Sequence, residues 1–181
     1  WTGGMEDPRV AVTEDGTYVM MYTAWNKENR KARLSVATSK DLVNWTKHGP
    51  VFEKAYGGKY KDLYCKAGAV VTAPSKRDAR KFVITKINGK YLMYWGEHRI
   101  FADWEPLENE RGQLVELIKP RRDHFDSVLT EAGPPAVVTK NGILLLYNGK
   151  NADPEKGGDP RYPKGAYCAG QVLFDLNDPY K

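Results

Sequence analysis

The chain has 181 residues, a length that suits one domain with its own core. Hydrophobic residues make up 41% and charged residues 28%, which excludes a disordered chain, and aromatics at 12% favour a β-rich fold or a site that stacks flat ligands. The net charge of +5 is scattered and leaves no basic stripe for nucleic acid, while the longest apolar runs, such as 143–147, fall far short of the roughly 20 residues of a membrane helix.

In chain order, residues 9–13 read as a strand, and Asp15-Gly16 then turns the chain into an apolar and aromatic run ending at Tyr22. Residues 32–39 alternate, with Leu34, Val36 and Thr38 on one face and Ser35 and Ala37 on the other. Residues 41–45 make a turn and 45–52 a further strand. The hairpin pattern returns at 82–87, Asn88-Gly89 and a run to Tyr94, with a weak continuation at 101–106. It appears a third time at 136–139, Asn141-Gly142 and a run to Tyr147. Nowhere do apolar residues repeat at helical spacing over the length of a helix.

Antiparallel units of about four strands with a long period read as β-propeller blades. A ring needs at least four blades and about three are present, so residues 1–181 are expected to form a partial propeller domain. The start at Trp1 rather than Met, with no readable signal peptide, suggests an excerpt from a longer chain whose N- and C-terminal blades lie elsewhere. Cys65 and Cys168 stand in no CxxC or Cys/His pattern; no metal or other cofactor is expected, and a disulfide is undecided.

Four stretches exceed what a blade requires. Gly3-Gly4-Met5-Glu6-Asp7-Pro8-Arg9 puts two acids and an arginine at the mouth of a strand, behind glycines that allow close backbone approach; a turn with a surface ion pair is equally compatible. Tyr94-Trp95-Gly96-Glu97-His98 ends an apolar strand in a carboxylate, which suits an inner rim or an exposed strand end. Asp126-Ser127 precedes Glu131-Ala132-Gly133-Pro134-Pro135, where the prolines forbid a helix and hold Glu131 stiffly. Residues 147–151, with Asn148 and Asn151, then Asp159-Pro160-Arg161-Tyr162 and Tyr167, offer amides, a guanidinium and phenols to hydroxyl groups, or form a loop that is merely polar. Carboxylates with amides, Arg and Trp suggest a sugar site, since glycosides are cleaved by paired carboxylates. There is no P-loop, GxGxxG turn, HExxH helix or serine elbow.

The stretches 3–9, 22–25, 37–45, 131–135 and 146–149 together resemble glycoside hydrolase family 130, which holds mannoside phosphorylases and β-mannosidases on a five-bladed β-propeller. The resemblance runs the length of the chain and implies an all-β fold with about three central blades present. It implies Asp7 as general acid, acting through a hydroxyl of the mannose, and Glu97 and Glu131 as the carboxylates that activate water. Glu6, Arg9, Trp25, Asn26, Lys66, Asp126, Ser127, Asn148, Asn151, Asp159, Tyr162 and Tyr167 are the expected substrate contacts. Phosphorylases of the family carry a phosphate-binding His where this chain has Asn148 and usually lack an acid at the position of Glu131. That split implies an inverting β-mannosidase, similar to those that cleave β-1,2 linkages in mannan side chains, with a phosphorylase or a non-catalytic carbohydrate-binding propeller as alternatives. The expected partner is a mannoside or mannooligosaccharide, with no nucleic acid and no membrane. Oligomeric state stays open, as does the compartment, where a periplasmic or extracellular setting is favoured over the cytoplasm.

Overall fold

The structure is a computed structural model that describes residues 3–181. Trp1, on which the excerpt reading leans, and Thr2 lie outside the described residues. The fold is almost entirely β, with two short 3₁₀ turns at Ala55–Gly58 and Pro154–Lys156 and no closed barrel among the described residues. No helix among the described residues is long and apolar enough to cross a membrane.

The first sheet is an antiparallel meander of β1 (Gly3–Val12), β2 (Tyr18–Asn26), β3 (Lys31–Ser39) and β4 (Thr46–Pro50), in spatial order. Side chains build its turns. Gly16 supplies the positive φ of the first, and the Thr13 hydroxyl bonds Asp15 and accepts from the Thr17 N–H at 3.0 Å. In the 41–45 turn the Asp41 carboxylate accepts from the N–H groups of Val43 and Asn44 at 2.9 and 2.8 Å.

The second unit comprises β5 (Gly68–Pro74), β6 (Phe82–Ile84), β7 (Lys86–Ile87), β8 (Lys90–Tyr91), β9 (Met93–Trp95) and β10 (Phe101–Ala102). The expected hairpin needs correcting here. Asn88 and Gly89 do form a tight turn with φ of 50° and 82°, but it closes only the two pairs Lys86↔Tyr91 and Ile87↔Lys90. The flanking strands β6 and β9 both pair with β5 instead of with each other. The third unit is β11 (Leu129–Ala132), β12 (Ala136–Thr139), β13 (Gly142–Lys150) and β14 (Tyr167–Phe174). Both β11 and β12 pair with β13, so they form one strand line interrupted at Gly133-Pro134-Pro135, where proline removes ladder donors.

The expected purely antiparallel arrangement also needs one amendment. A short parallel contact, Ala136↔Val71 and Val137↔Thr72, joins the second and third units, reinforced by the Thr72 hydroxyl donating to the Ala136 carbonyl at 2.9 Å. The second unit lies between the other two. Val70 and Trp95 face Met21, Leu34 and Phe52 of the first unit, whereas Val71 and Tyr94 face Ile143, Leu145 and Phe174 of the third. Ring contacts carry both interfaces: Trp95 meets Phe52 at 4.5 Å between centroids, and Tyr94 stacks on Phe174 at 4.5 Å. Cys65 and Cys168 are unpaired thiols, and burial pushes Cys65 up to about 11.

Candidate active site

The first element of the site is a bulge. The β1–β2 register passes from Glu6↔Thr23 to Arg9↔Met21, so Asp7 and Pro8 together oppose Tyr22. Asp7 takes a left-handed φ of 52°, unusual for a residue with a side chain, and lies exposed. The glycine before it is required: a Cβ on Gly3 would sit 2.1 Å from the Trp25 carbonyl oxygen. Close approach at Gly3 is therefore to the chain's own β2, while Gly4 is open.

The second element is the end of β9. The Gly96 N–H donates to the carbonyls of Lys66 and Ala67 at 3.0 and 3.1 Å. Gly96 has φ 126°, and a Cβ there would lie 2.2 Å from the Arg99 carbonyl oxygen, so only glycine permits this path. Ala67 and His98 are also left-handed, at 50° and 71°. Left-handed backbone thus gathers around Lys66, Glu97 and Asp7, the kind of local cost that collects at functional sites. Lys66 and Glu97 pair at 3.4 Å, both mostly buried. Tyr64, which the sequence reading did not select, stands in the field of both, its phenol raised by burial and by the Glu97 charge. A phenol two residues before Lys66 was the available signal.

The third element is β11. Thr130 and Ala132 donate their N–H groups to the carbonyls of His98 and Gly96 at 3.4 and 3.2 Å, which sets Glu131 across from Glu97. On its other side Glu131 is in register with Asn148 of β13, whose Nδ2 donates to Glu131 Oε2 at 3.2 Å. The Arg9 guanidinium lies 3.9 Å from Glu131 Oε1. Only 14% of the Glu131 side chain is exposed. Burial pushes its carboxyl above the ordinary value; the Asn148 hydrogen bond and the Arg9 charge oppose that, and the charges of Asp7 and Glu97 add to it. Glu131 is therefore the group at which the three expected carboxylates interact. Glu6 reaches the same cluster through its charge on Lys66.

The remaining expected contacts lie in other settings. Asp126 is fully buried, accepts from Tyr147 Oη at 2.7 Å and pairs with Arg121 at 3.0 Å. Ser127 accepts from the Ala152 N–H at 2.8 Å and donates to Asn151 Oδ1 at 3.3 Å. Asn151, also buried, accepts from the Asp159 N–H at 2.8 Å and donates to the carbonyls of Asp159 and Tyr162 at 3.0 and 2.9 Å. Asp159 pairs with Arg161 at 2.7 Å, which lowers its carboxyl to about 2, and the Arg161 guanidinium covers the Tyr162 ring. The side-chain polar atoms of Asp126, Ser127, Asn151 and Asp159 are thus engaged with neighbouring protein groups. Trp25 and Asn26 line a groove of about 360 Å³ on the first sheet with Lys31 and Arg33. Tyr167 is exposed, its ring 5.2 Å from the Lys150 ammonium. Among the described residues no group of three or more His, Cys, Asp or Glu is placed to hold a metal ion.

Relatives of known structure or activity share this chain's pattern. A curated 1,2-beta-oligomannan phosphorylase from Thermoanaerobacter sp. (strain X514) is 31% identical over 183 residues, covering 98% of this chain and 50% of the relative. A glycosyl hydrolase from Bacteroides ovatus is 54% identical with a TM-score of 0.93, covering 100% of this chain and 51% of that one. A third structure, described with the words that the GH130 family of mannoside phosphorylases contains glycoside hydrolases that target beta-1,2 mannosidic linkages in Candida mannan, is 53% identical with a TM-score of 0.93, covering 100% and 50%. The chain thus spans about half the length of these relatives. Residues 2–181 match glycoside hydrolase family 130, described as beta-1,4-mannooligosaccharide phosphorylase, and the chain belongs to that family.

Proposed function

We propose that the protein carrying this chain is an inverting glycoside hydrolase of β-linked mannosides, with β-1,2 linkages the preferred target. Asp7 is the general acid, protonating the glycosidic oxygen through a hydroxyl of the sugar. Glu131, assisted by Glu97, takes the proton from the attacking water. Lys66 holds Glu97, and Asn148 orients Glu131. The chain contributes about three blades of a five-bladed propeller, in keeping with its coverage of half the relatives' length.

The observation that carries the reading is the charge of the cluster. Among the described residues, the carboxylates of Glu6, Asp7, Glu97 and Glu131 are met by the cations of Arg9 and Lys66, so acidic groups outnumber basic ones in the cluster. Both cations are already engaged, Lys66 by Glu97 and Arg9 by carbonyl oxygens. Phosphate needs free cations; water needs a base. A buried carboxylate raised above its usual range is the better base. The phosphorylase reading keeps support from the name of the Thermoanaerobacter relative, at 31% identity against 53–54% for the hydrolase structures. The test is Glu131→Gln in the full-length protein, assayed for mannose release from β-1,2-mannobiose. Activity should fall by about 10²–10⁴-fold with the fold intact; wild-type activity would refute the assignment of the base.

A further inference from the structure

Arg9 was expected to touch substrate, but its donors point elsewhere. Nε donates to the Gly133 carbonyl at 2.7 Å, Nη2 to the Ala132 carbonyl at 2.9 Å and Nη1 to the Asp7 carbonyl at 2.8 Å. The side chain is 12% exposed. Among the described residues no ladder joins β1 to β11; they belong to different sheets, and the guanidinium fork ties them directly. We propose that Arg9 is a positioning residue, a strut that fixes the bulge bearing Asp7 against the strand bearing Glu131. This rests on the reading of Asp7 and Glu131 as the acid and base.

Both ends of the strut are stiff. At one end Asp7-Pro8 forms the bulge, with φ of Pro8 set by its ring. At the other, Gly133-Pro134-Pro135 breaks the strand line, and Gly133 is clamped on β13 by its N–H bond to the Leu146 carbonyl at 3.1 Å. The acceptors are backbone oxygens, so the fork reports the position of the main chain and not the identity of a side chain. A planar guanidinium can span three carbonyls at once, whereas an ammonium is a single point charge. Acid and base on separate units have to be held at a fixed spacing, because misplacement by about 1 Å can cost 10²-fold in rate. The fork also brings a cation to Glu131. The other charged groups that act on Glu131 are Asp7 on the bulge and Glu97 beyond β9, itself paired with Lys66; Asn148 on β13 is neutral.

The test compares Arg9→Met, Arg9→Lys and Glu131→Gln in the full-length protein, with kcat, KM and the pH dependence of kcat/KM. Arg9→Met should lower kcat by about 10²-fold with little change in KM. It should also move the acidic limb of the profile to higher pH, because Glu131 loses its cation. Arg9→Lys should return the limb toward its original position and leave kcat low. An effect confined to KM would mean that Arg9 binds substrate, and an unchanged kcat and limb would mean that it positions nothing; either overturns the inference. If Arg9→Met does not fold, Arg9→Lys decides: a wild-type kcat overturns the strut, and a low kcat with an unmoved limb supports it. An active Glu131→Gln removes the parent reading and the strut with it. An inactive Glu131→Gln beside an unaffected Arg9→Met overturns the strut alone.

Discussion

Burial acts on Glu131 in two directions: it makes the carboxylate a stronger base and it makes the ionised form costly to fold. The carboxyl is raised above the ordinary glutamate value of 4.5, chiefly by burial. The sign follows from linkage. A carboxyl whose value is raised on folding contributes stability that is fully present below its unfolded value and is lost as pH rises through its folded value. Above that folded value the protein carries the cost of an ionised Glu131. Glu131→Gln should raise Tm at pH 7, and the gain should shrink as pH falls through the folded value. A lower Tm at pH 7 would mean that the Arg9 and Asn148 contacts outweigh desolvation.

At the scale of elements, the third unit depends on small residues under large rings. A Cβ on Gly170 of β14 would lie 2.2 Å from the Tyr147 ring, which cannot swing away freely because its hydroxyl donates to buried Asp126. Gly170→Ala should cost about 1–3 kcal/mol through overpacking, read as a lower Tm; an unchanged Tm would show that the ring is free to shift. The same elements show what a sequence discloses. The turns at Gly16 and Asn88-Gly89 were legible because positive φ demands particular residues there. Strand β5 was not, although the second unit is built around it. Its residues Gly68–Thr72 are buried on both faces, so the alternation that betrays a half-buried strand is missing. Strand β14 has no such excuse of burial: it alternates in exposure, but small residues such as Ala169 and Gly170 blur the hydrophobic pattern. At the site, the acids at Asp7, Glu97 and Glu131 stood out by their motifs. The bracing role of Asp126, Asn151 and Asp159 did not, because polar residues that bind sugars and polar residues that pin a loop have the same composition.

For the whole molecule, three successive units are locked by two ring-lined interfaces, and Asp7, Glu97 and Glu131 come one from each unit. That is why the spacing between them depends on contacts such as the Arg9 fork rather than on any single strand. The central claim is that water, and not phosphate, enters this carboxylate-rich cluster. The most direct measurement is product analysis of the full-length protein acting on β-1,2-mannobiose, with and without inorganic phosphate. Free mannose is expected as the product in both, at a rate that phosphate does not increase. Mannose 1-phosphate as the main product, formed only when phosphate is supplied, would contradict it.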